Sequence, residues 1–181
     1  MLETERLILR PLDESDAREI FAMRSDADVM RFIREPQKNI GESIDWINLV
    51  SSRWADEKTG FCAVIERRGK KFVGWCGVWR LEETGETEIG YAVAKKFWGK
   101  GFAAEAARRF LEYAFAELDA ERVVAVARPE NAASIRVMEK IGMSFVRTGK
   151  FYNQTLAQYA VSRREFFAGE NAASIFPEKE I

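Results

Sequence analysis

TEIGYAVAKKFWGKGFAAEAARRFLEYAF, residues Thr87 to Phe115, changes its hydrophobic period partway along. Ile89, Tyr91 and Val93 alternate with Glu88, Gly90 and Ala92, the period of two of a strand. From Ala103 the apolar positions become Ala103, Ala106, Ala107, Phe110, Leu111, Ala114 and Leu118, which is helical spacing along one stripe. Between the two lies Lys96-Phe97-Trp98-Gly99-Lys100-Gly101. The stretch therefore predicts a strand, a glycine loop and a helix. A helix N-terminus carries N–H groups without partners and a partial positive charge. Glycines just ahead of it let the main chain come close to a ligand, so the junction suits a phosphate or pyrophosphate. The same glycines would equally serve a plain tight turn, supplying positive φ.

The flanking segments supply the rest of a sheet. Upstream, RLILRP (Arg6–Pro11) is a short strand ended by proline. Asp13 is placed to cap a helix whose first turn holds Glu14 and Asp16, with Ala17, Ile20 and Phe21 as its buried stripe. Ser25–Ile33 repeats the device, Asp26 and Asp28 preceding Val29, Met30 and Phe32. Ile40, Ile44, Ile47 and Trp54 predict a longer helix, from about Glu42 to Ala55. Strands at Phe61–Glu66 and Phe72–Arg80 are joined by the charged hairpin loop Arg67–Lys71, and the turn Leu81–Glu86 leads into the strand at Glu88.

Downstream, Arg122–Ala127 is a nearly continuous apolar run, as in a strand buried on both faces. Glu88–Ala127 then forms a strand–helix–strand unit whose two strands lie parallel. Asn131 caps and Gly142 stops a helix over Ala132–Ile141. Strands follow at Phe145–Thr148 and Leu156–Ser162. The expected fold is α/β, a mixed sheet of six or seven strands, mostly antiparallel, with one parallel pair around the central helix. Residues 1–181 are expected to form a single domain whose tail, 166–181, frays.

Composition narrows the function. The chain has 181 residues, 47% of them hydrophobic and 31% charged, as in an ordinary soluble globule. A net charge of −1 gives no electrostatic reason for nucleic-acid binding. No apolar run approaches the roughly 18 residues that cross a bilayer. The N-terminus has no apolar signal-peptide core, so a cytoplasmic protein without a membrane partner is expected, as a monomer or homodimer. Cys62 and Cys76 lack metal-site spacing and read as small core residues. The chain contains no histidine, which removes Ser-His-Asp and Cys-His constellations and histidine-based metal sites. Any acid or base must be a carboxylate, hydroxyl, amine, thiol or water.

Gly99-Lys100-Gly101-Phe102-Ala103-Ala104 also matches the relaxed dinucleotide fingerprint GxGxxA. That fingerprint needs an acid at the C-terminal end of the next strand to bind ribose. Asp119 and Glu121 instead precede that strand, and Arg128 and Pro129 follow it. A dinucleotide-dependent oxidoreductase is thus the weaker reading.

Lys96-Phe97-Trp98-Gly99-Lys100-Gly101 resembles the Q/R-x-x-G-x-G/A pyrophosphate loop of the GCN5-related N-acetyltransferases (GNAT). EIGYAV…FWGKGFAAEA, RPENAASIRVMEKIGM and the opening TERLILRPLDESDA are most similar to the ribosomal-protein N-terminal acetyltransferases of RimJ/RimL type. The likeness runs to about Glu165. It departs at Lys96, where many members have Gln or Arg.

The resemblance implies acetyl-coenzyme A as donor and an amine as acceptor, either a small molecule or a protein N-terminus. It implies a strand that splays from its parallel neighbour, with Ala92, Val93 and Ala94 pairing their main chain to the pantetheine arm. A bulged amide near Val93 would polarise the thioester carbonyl. The backbone from Gly99 through Lys100, Gly101 and Phe102 to Ala103 would hold the pyrophosphate, with Lys96 and Lys100 as supporting charges or simply as solvated loop residues. Asn131 would bond the pantetheine arm and Ser134 would stand near the coenzyme sulfur; capping alone would also explain both. Many members place a tyrosine general acid one helical turn further on, where this chain has Met138, so Ser134 or water must serve. Glu88 would face the acceptor cleft as general base, its other reading being a solvent-facing strand acid. An acyl-coenzyme A sensor without turnover is the alternative to an enzyme.

Overall fold

The computed structural model describes residues 1–175. Its strands are β1 (Leu2–Glu3), β2 (Leu7–Pro11), β3 (Gly60–Glu66), β4 (Phe72–Arg80), β5 (Thr87–Val93), β6 (Arg122–Ala127), β7 (Ser144–Phe151) and β8 (Gln154–Ser162). Its helices are α1 (Ala17–Arg24), α2 (Ala27–Met30), α3 (Ile40–Glu57), α4 (Phe102–Ala116), α5 (Ala132–Lys140) and α6 (Arg163–Ile175). The strands form one sheet in the order β1-β2-β3-β4-β5-β6-β8-β7.

The sheet has eight strands rather than the expected six or seven. The addition is β1, in which Leu2 and Glu3 pair with Leu9 and Ile8. Two residues cannot display a period, so pattern alone does not reveal it. Residues up to Ile175 form α6, and Phe166 is buried with its ring 5.3 Å from that of Phe115. The remainder of the predicted fraying segment, 176–181, lies outside the described residues.

Among the described residues only β5 and β6 run parallel; every other neighbouring pair is antiparallel. That is too little parallel sheet for a dinucleotide-binding fold. The parallel contact is itself short, Thr87 opposite Val123 and Glu88 opposite Val124. Beyond Glu88 the two strands part, so β5 from Ile89 onward has a partner only on its β4 side.

The alternation along β5 sorts the molecule into two layers. Ile89 joins the core under α4, with Tyr91 and Val93 packed against it. Phe110, Leu111, Ala107 and Ala114 are wholly buried there, and alanines at the contact let the helix lie close to the sheet. Truncating Phe110 would cost about 3–5 kcal/mol. Tyr113 and Phe115 are buried as well, beyond the predicted stripe, because Trp54 stacks on Tyr113 and α6 covers Phe115. Glu88, Gly90 and Ala92 face the other way. Ala92 packs with Trp46 and Ile47 of α3 and with Ile20 of α1 in the second core.

Candidate active site

The glycine loop takes the geometry that its sequence demands. Gly99 and Gly101 have φ of 75° and 78°, in the left-handed region that glycine enters at little cost. Gly101 is the N-cap of α4, and no side chain caps the first-turn N–H groups. An uncapped helix end next to glycines is a ready anion site. Lys96, Gly99 and Lys100 are exposed around it. Phe102 is buried against Phe97, with ring centroids 5.9 Å apart, so it offers the site its main chain alone.

The loop is held from outside by residues that sequence reasoning passed over. Arg6 Nη1 donates to the Lys100 carbonyl at 3.1 Å, and Arg6 Nε donates to Glu105 at 2.6 Å. Thr4 Oγ1 donates to the same carboxylate. Glu105 would otherwise bring negative charge close to an anion at the helix start, and Arg6 offsets it.

Of Ala92, Val93 and Ala94, only Val93 turns its main-chain groups toward the gap beside β6. The Ala94 N–H donates to Val73 of β4 at 2.8 Å, and antiparallel alternation then directs Ala92 to β4 as well. Tyr91 faces the gap as Val93 does. The expected bulge near Val93 is absent: β5 pairs with β4 in unbroken register from Thr87 to Val93. Trp98 Nε1 donates to the Val93 carbonyl at 2.6 Å, a further contact the sequence did not suggest.

Glu88 is buried, 6% exposed, and is not the solvent-facing strand acid of the plainer alternative. Trp79 Nε1 donates to its Oε2 at 3.0 Å, and the Tyr152 hydroxyl donates to the same oxygen. Both donors fall on Oε2, which leaves Oε1 without a hydrogen-bond partner among the described residues. Burial raises the carboxyl to about 7, outweighing the two hydrogen bonds, which act to lower it. Burial and the Glu88 charge push the Tyr152 phenol upward, so the shared proton stays on tyrosine.

Tyr152 reaches Glu88 because it lies in the two-residue turn between β7 and β8. Tyr152 and Asn153 have φ of 51° and 57°, the pattern of a type I′ hairpin. An aromatic residue in that region is uncommon. Here the Tyr152 N–H donates to Glu83 and its hydroxyl to Glu88, which holds the turn over the carboxylate. The predicted strands at Phe145–Thr148 and Leu156–Ser162 stopped short of this turn, so its residues were not placed near the site.

Asn131 caps α5 as expected, its Oδ1 accepting from the Ser134 N–H at 3.2 Å. The Ser134 hydroxyl lies 3.2 Å from the Tyr91 hydroxyl, which also donates to the Ser134 carbonyl at 3.1 Å. Tyr91 thus ties β5 to α5. Burial raises its phenol, so it remains protonated. Met138 is buried in the core and offers no proton. Cys62 and Cys76 sit opposite one another across β3 and β4. Burial raises the Cys62 thiol to about 12 and Cys76 well above its ordinary value, which leaves both unreactive.

This arrangement has counterparts among known proteins. A family model described as an acetyltransferase (GNAT) domain matches residues 6–144. The uncharacterized protein YkkB of Bacillus subtilis is 34% identical over 161 residues, covering 87% of this chain and 93% of YkkB. The uncharacterized N-acetyltransferase YoaA of the same organism is 36% identical over 145 residues, covering 78% of this chain and 81% of YoaA. A crystal structure of a GNAT-family acetyltransferase from Bacillus anthracis superposes with a TM-score of 0.77 at 29% identity, covering 91% of this chain and 99% of that one. The parted strands and uncapped glycine junction fit the coenzyme that such enzymes use, and with these matches the chain belongs to the GNAT family of acetyl-coenzyme A-dependent N-acetyltransferases.

Proposed function

We propose that the chain acetylates a primary amine by direct transfer in a ternary complex, with Glu88 as the base. The observation that carries this reading is a buried carboxyl raised to about 7, one oxygen pinned by Trp79 and Tyr152 and the other unengaged. A base works best with its pKa near the working pH. Bound acetyl-coenzyme A supplies the acetyl group as a thioester, whose C–S bond breaks as the amine nitrogen bonds to the carbonyl carbon. Glu88 Oε1 takes one proton of the acceptor ammonium and frees the nitrogen lone pair for attack. Ser134, backed by the Tyr91 hydroxyl, protonates the departing sulfur, and the second proton shed by nitrogen restores that pair. Gly99 to Ala103 hold the pyrophosphate by their N–H groups, with Lys96 and Lys100 as nearby charge. Val93 offers its main chain to the pantetheine arm, displacing Trp98, and Asn131 flanks that arm. The RimJ/RimL-like motifs support a protein N-terminal α-amine as one acceptor, and a donor made inside cells supports a cytoplasmic setting.

The test is thiol release from acetyl-coenzyme A against a panel of primary amines. Glu88→Gln should lower turnover about 10²-fold with coenzyme affinity retained. Unchanged turnover at neutral pH would reduce Glu88 to a structural residue. In the same assay Ser134→Ala should lower kcat and kcat/KM together, and an unaltered kcat would leave water as the proton source.

A further inference from the structure

Val93 ends β5 with its main chain turned away from β4, because the Ala94 N–H and, by alternation, Ala92 are the groups that pair there. On the other side β6 pairs only with Thr87 and Glu88, so Val93 has no strand partner. Its carbonyl is nevertheless taken. Trp98 Nε1 donates to it at 2.6 Å. A donor bonds roughly along the carbonyl direction, so the edge of the indole stands in the gap itself.

Tryptophan is used differently elsewhere in the chain. Trp46, Trp54, Trp75 and Trp79 pack on the two cores, whereas Trp98 is 49% exposed. Its N–H, the one donor that an indole has, goes to a main-chain group of the unpaired edge. The turn that carries Trp98 is anchored independently of this bond. Phe97 is buried against Phe102, its N–H donates to Ala94 at 2.8 Å, and the Trp98 N–H donates to Lys95 at 3.1 Å. A rotation of the Trp98 side chain therefore releases Val93 and leaves the backbone ahead of the glycine loop in place. Exposed side chains make such rotations in picoseconds to nanoseconds.

We infer that Trp98 is a resident stand-in for the coenzyme arm: its indole closes the Val93 carbonyl in the free protein, and acetyl-coenzyme A binds by driving it out. This rests on the reading of the β5 edge as the coenzyme site. The amides of pantetheine offer the donor that an added strand would bring, an N–H directed along the sheet. Trp98 offers the same kind of donor from within the chain. An unpaired edge is also a template for pairing with another chain, so the indole covers a liability while the site is empty. Competition for one carbonyl lowers coenzyme affinity by the worth of the bond that must break. Coenzyme A, the product, carries the same arm, so the returning indole weakens donor and product alike.

Calorimetric titration of acetyl-coenzyme A and of coenzyme A into the wild type and Trp98→Phe tests the competition. Phenylalanine keeps an aromatic ring and lacks the donor, so the variant should bind both about three- to tenfold more tightly, the worth of one neutral hydrogen bond. Equal or weaker binding by the folded variant overturns the inference. A second measurement needs no variant. The indole N–H signal of Trp98, assigned by triple-resonance NMR in the wild type, should shift upfield and exchange faster with water when acetyl-coenzyme A saturates the protein. A signal that keeps its position and protection at saturation overturns the inference even if Trp98→Phe does not fold. Binding that leaves Trp98 in place removes only the stand-in, whereas a wild type that binds neither thioester nor coenzyme A removes the coenzyme reading of the β5 edge as well.

Discussion

With Glu88 as the proposed base, activity and stability should depend on the same pH window with opposite signs. Its folded-state value of about 7 stands above the ordinary 4.5, so between those values the native state holds a proton that the unfolded chain has released. The resulting stabilisation is full below pH 4.5 and is lost as pH rises through about 7, amounting to about 3 kcal/mol. The proposed base is useful only when ionised, so turnover should climb across the range in which stability falls. Urea midpoints at pH 5 and pH 8 should differ less in Glu88→Gln than in the wild type. Tyr152→Phe removes a hydrogen bond that lowers the carboxyl, so the midpoint of the kcat/KM profile should move to higher pH. A midpoint that stays put in that variant would show that Tyr152 positions the turn without tuning the acid.

At the scale of elements, the glycine loop proposed to hold the coenzyme pyrophosphate depends on a side chain from near the N-terminus. Arg6, between β1 and β2, grips the Lys100 carbonyl and Glu105 of α4. Arg6→Met should loosen the loop and weaken acetyl-coenzyme A binding about tenfold, which is the worth of one charge-assisted hydrogen bond. Because Arg6 touches the loop and not the reacting atoms, kcat at saturating coenzyme should hold. Titration by calorimetry alongside steady-state kinetics separates the two quantities. A fall in kcat with unchanged affinity would assign Arg6 some other role. Trp98 belongs to the same junction: its indole holds the Val93 carbonyl, one of the alternate main-chain groups of β5 that face away from β4.

For the whole molecule, a coenzyme bound at the parted strands and the uncapped helix start should stabilise the fold. At roughly 100 times its dissociation constant, acetyl-coenzyme A should add about 2.7 kcal/mol and raise the unfolding midpoint by several degrees. NADH and NADPH should do much less, since the sheet has a single parallel pair. A larger shift with either dinucleotide would reverse the assignment of the glycine loop. No helix among the described residues is long and apolar enough to cross a membrane.

Local rules determined most of the architecture. The change of period after Val93, the glycines at 99 and 101, and Asn131 before α5 act over a few residues, and each took the predicted form. The parallel pairing of β5 with β6 followed from the same stretch. Glu88 is singled out by the family resemblance, and strand alternation adds only that it shares a face with Gly90 and Ala92. Tertiary structure alone decided what surrounds it. Tyr152 meets Glu88 across 64 positions, Arg6 meets Glu105 across 99, and Tyr91 meets Ser134 across 43. No periodicity reports contacts at such separations, because they arise only when the sheet order brings distant segments together. The absence of a bulge in β5, the two-residue β1 and the packing of α6 on Phe115 belong to the same class. Burial is likewise a property of the assembled layers. It raises the Glu88 carboxyl toward neutrality, which cannot be read from the residues on either side.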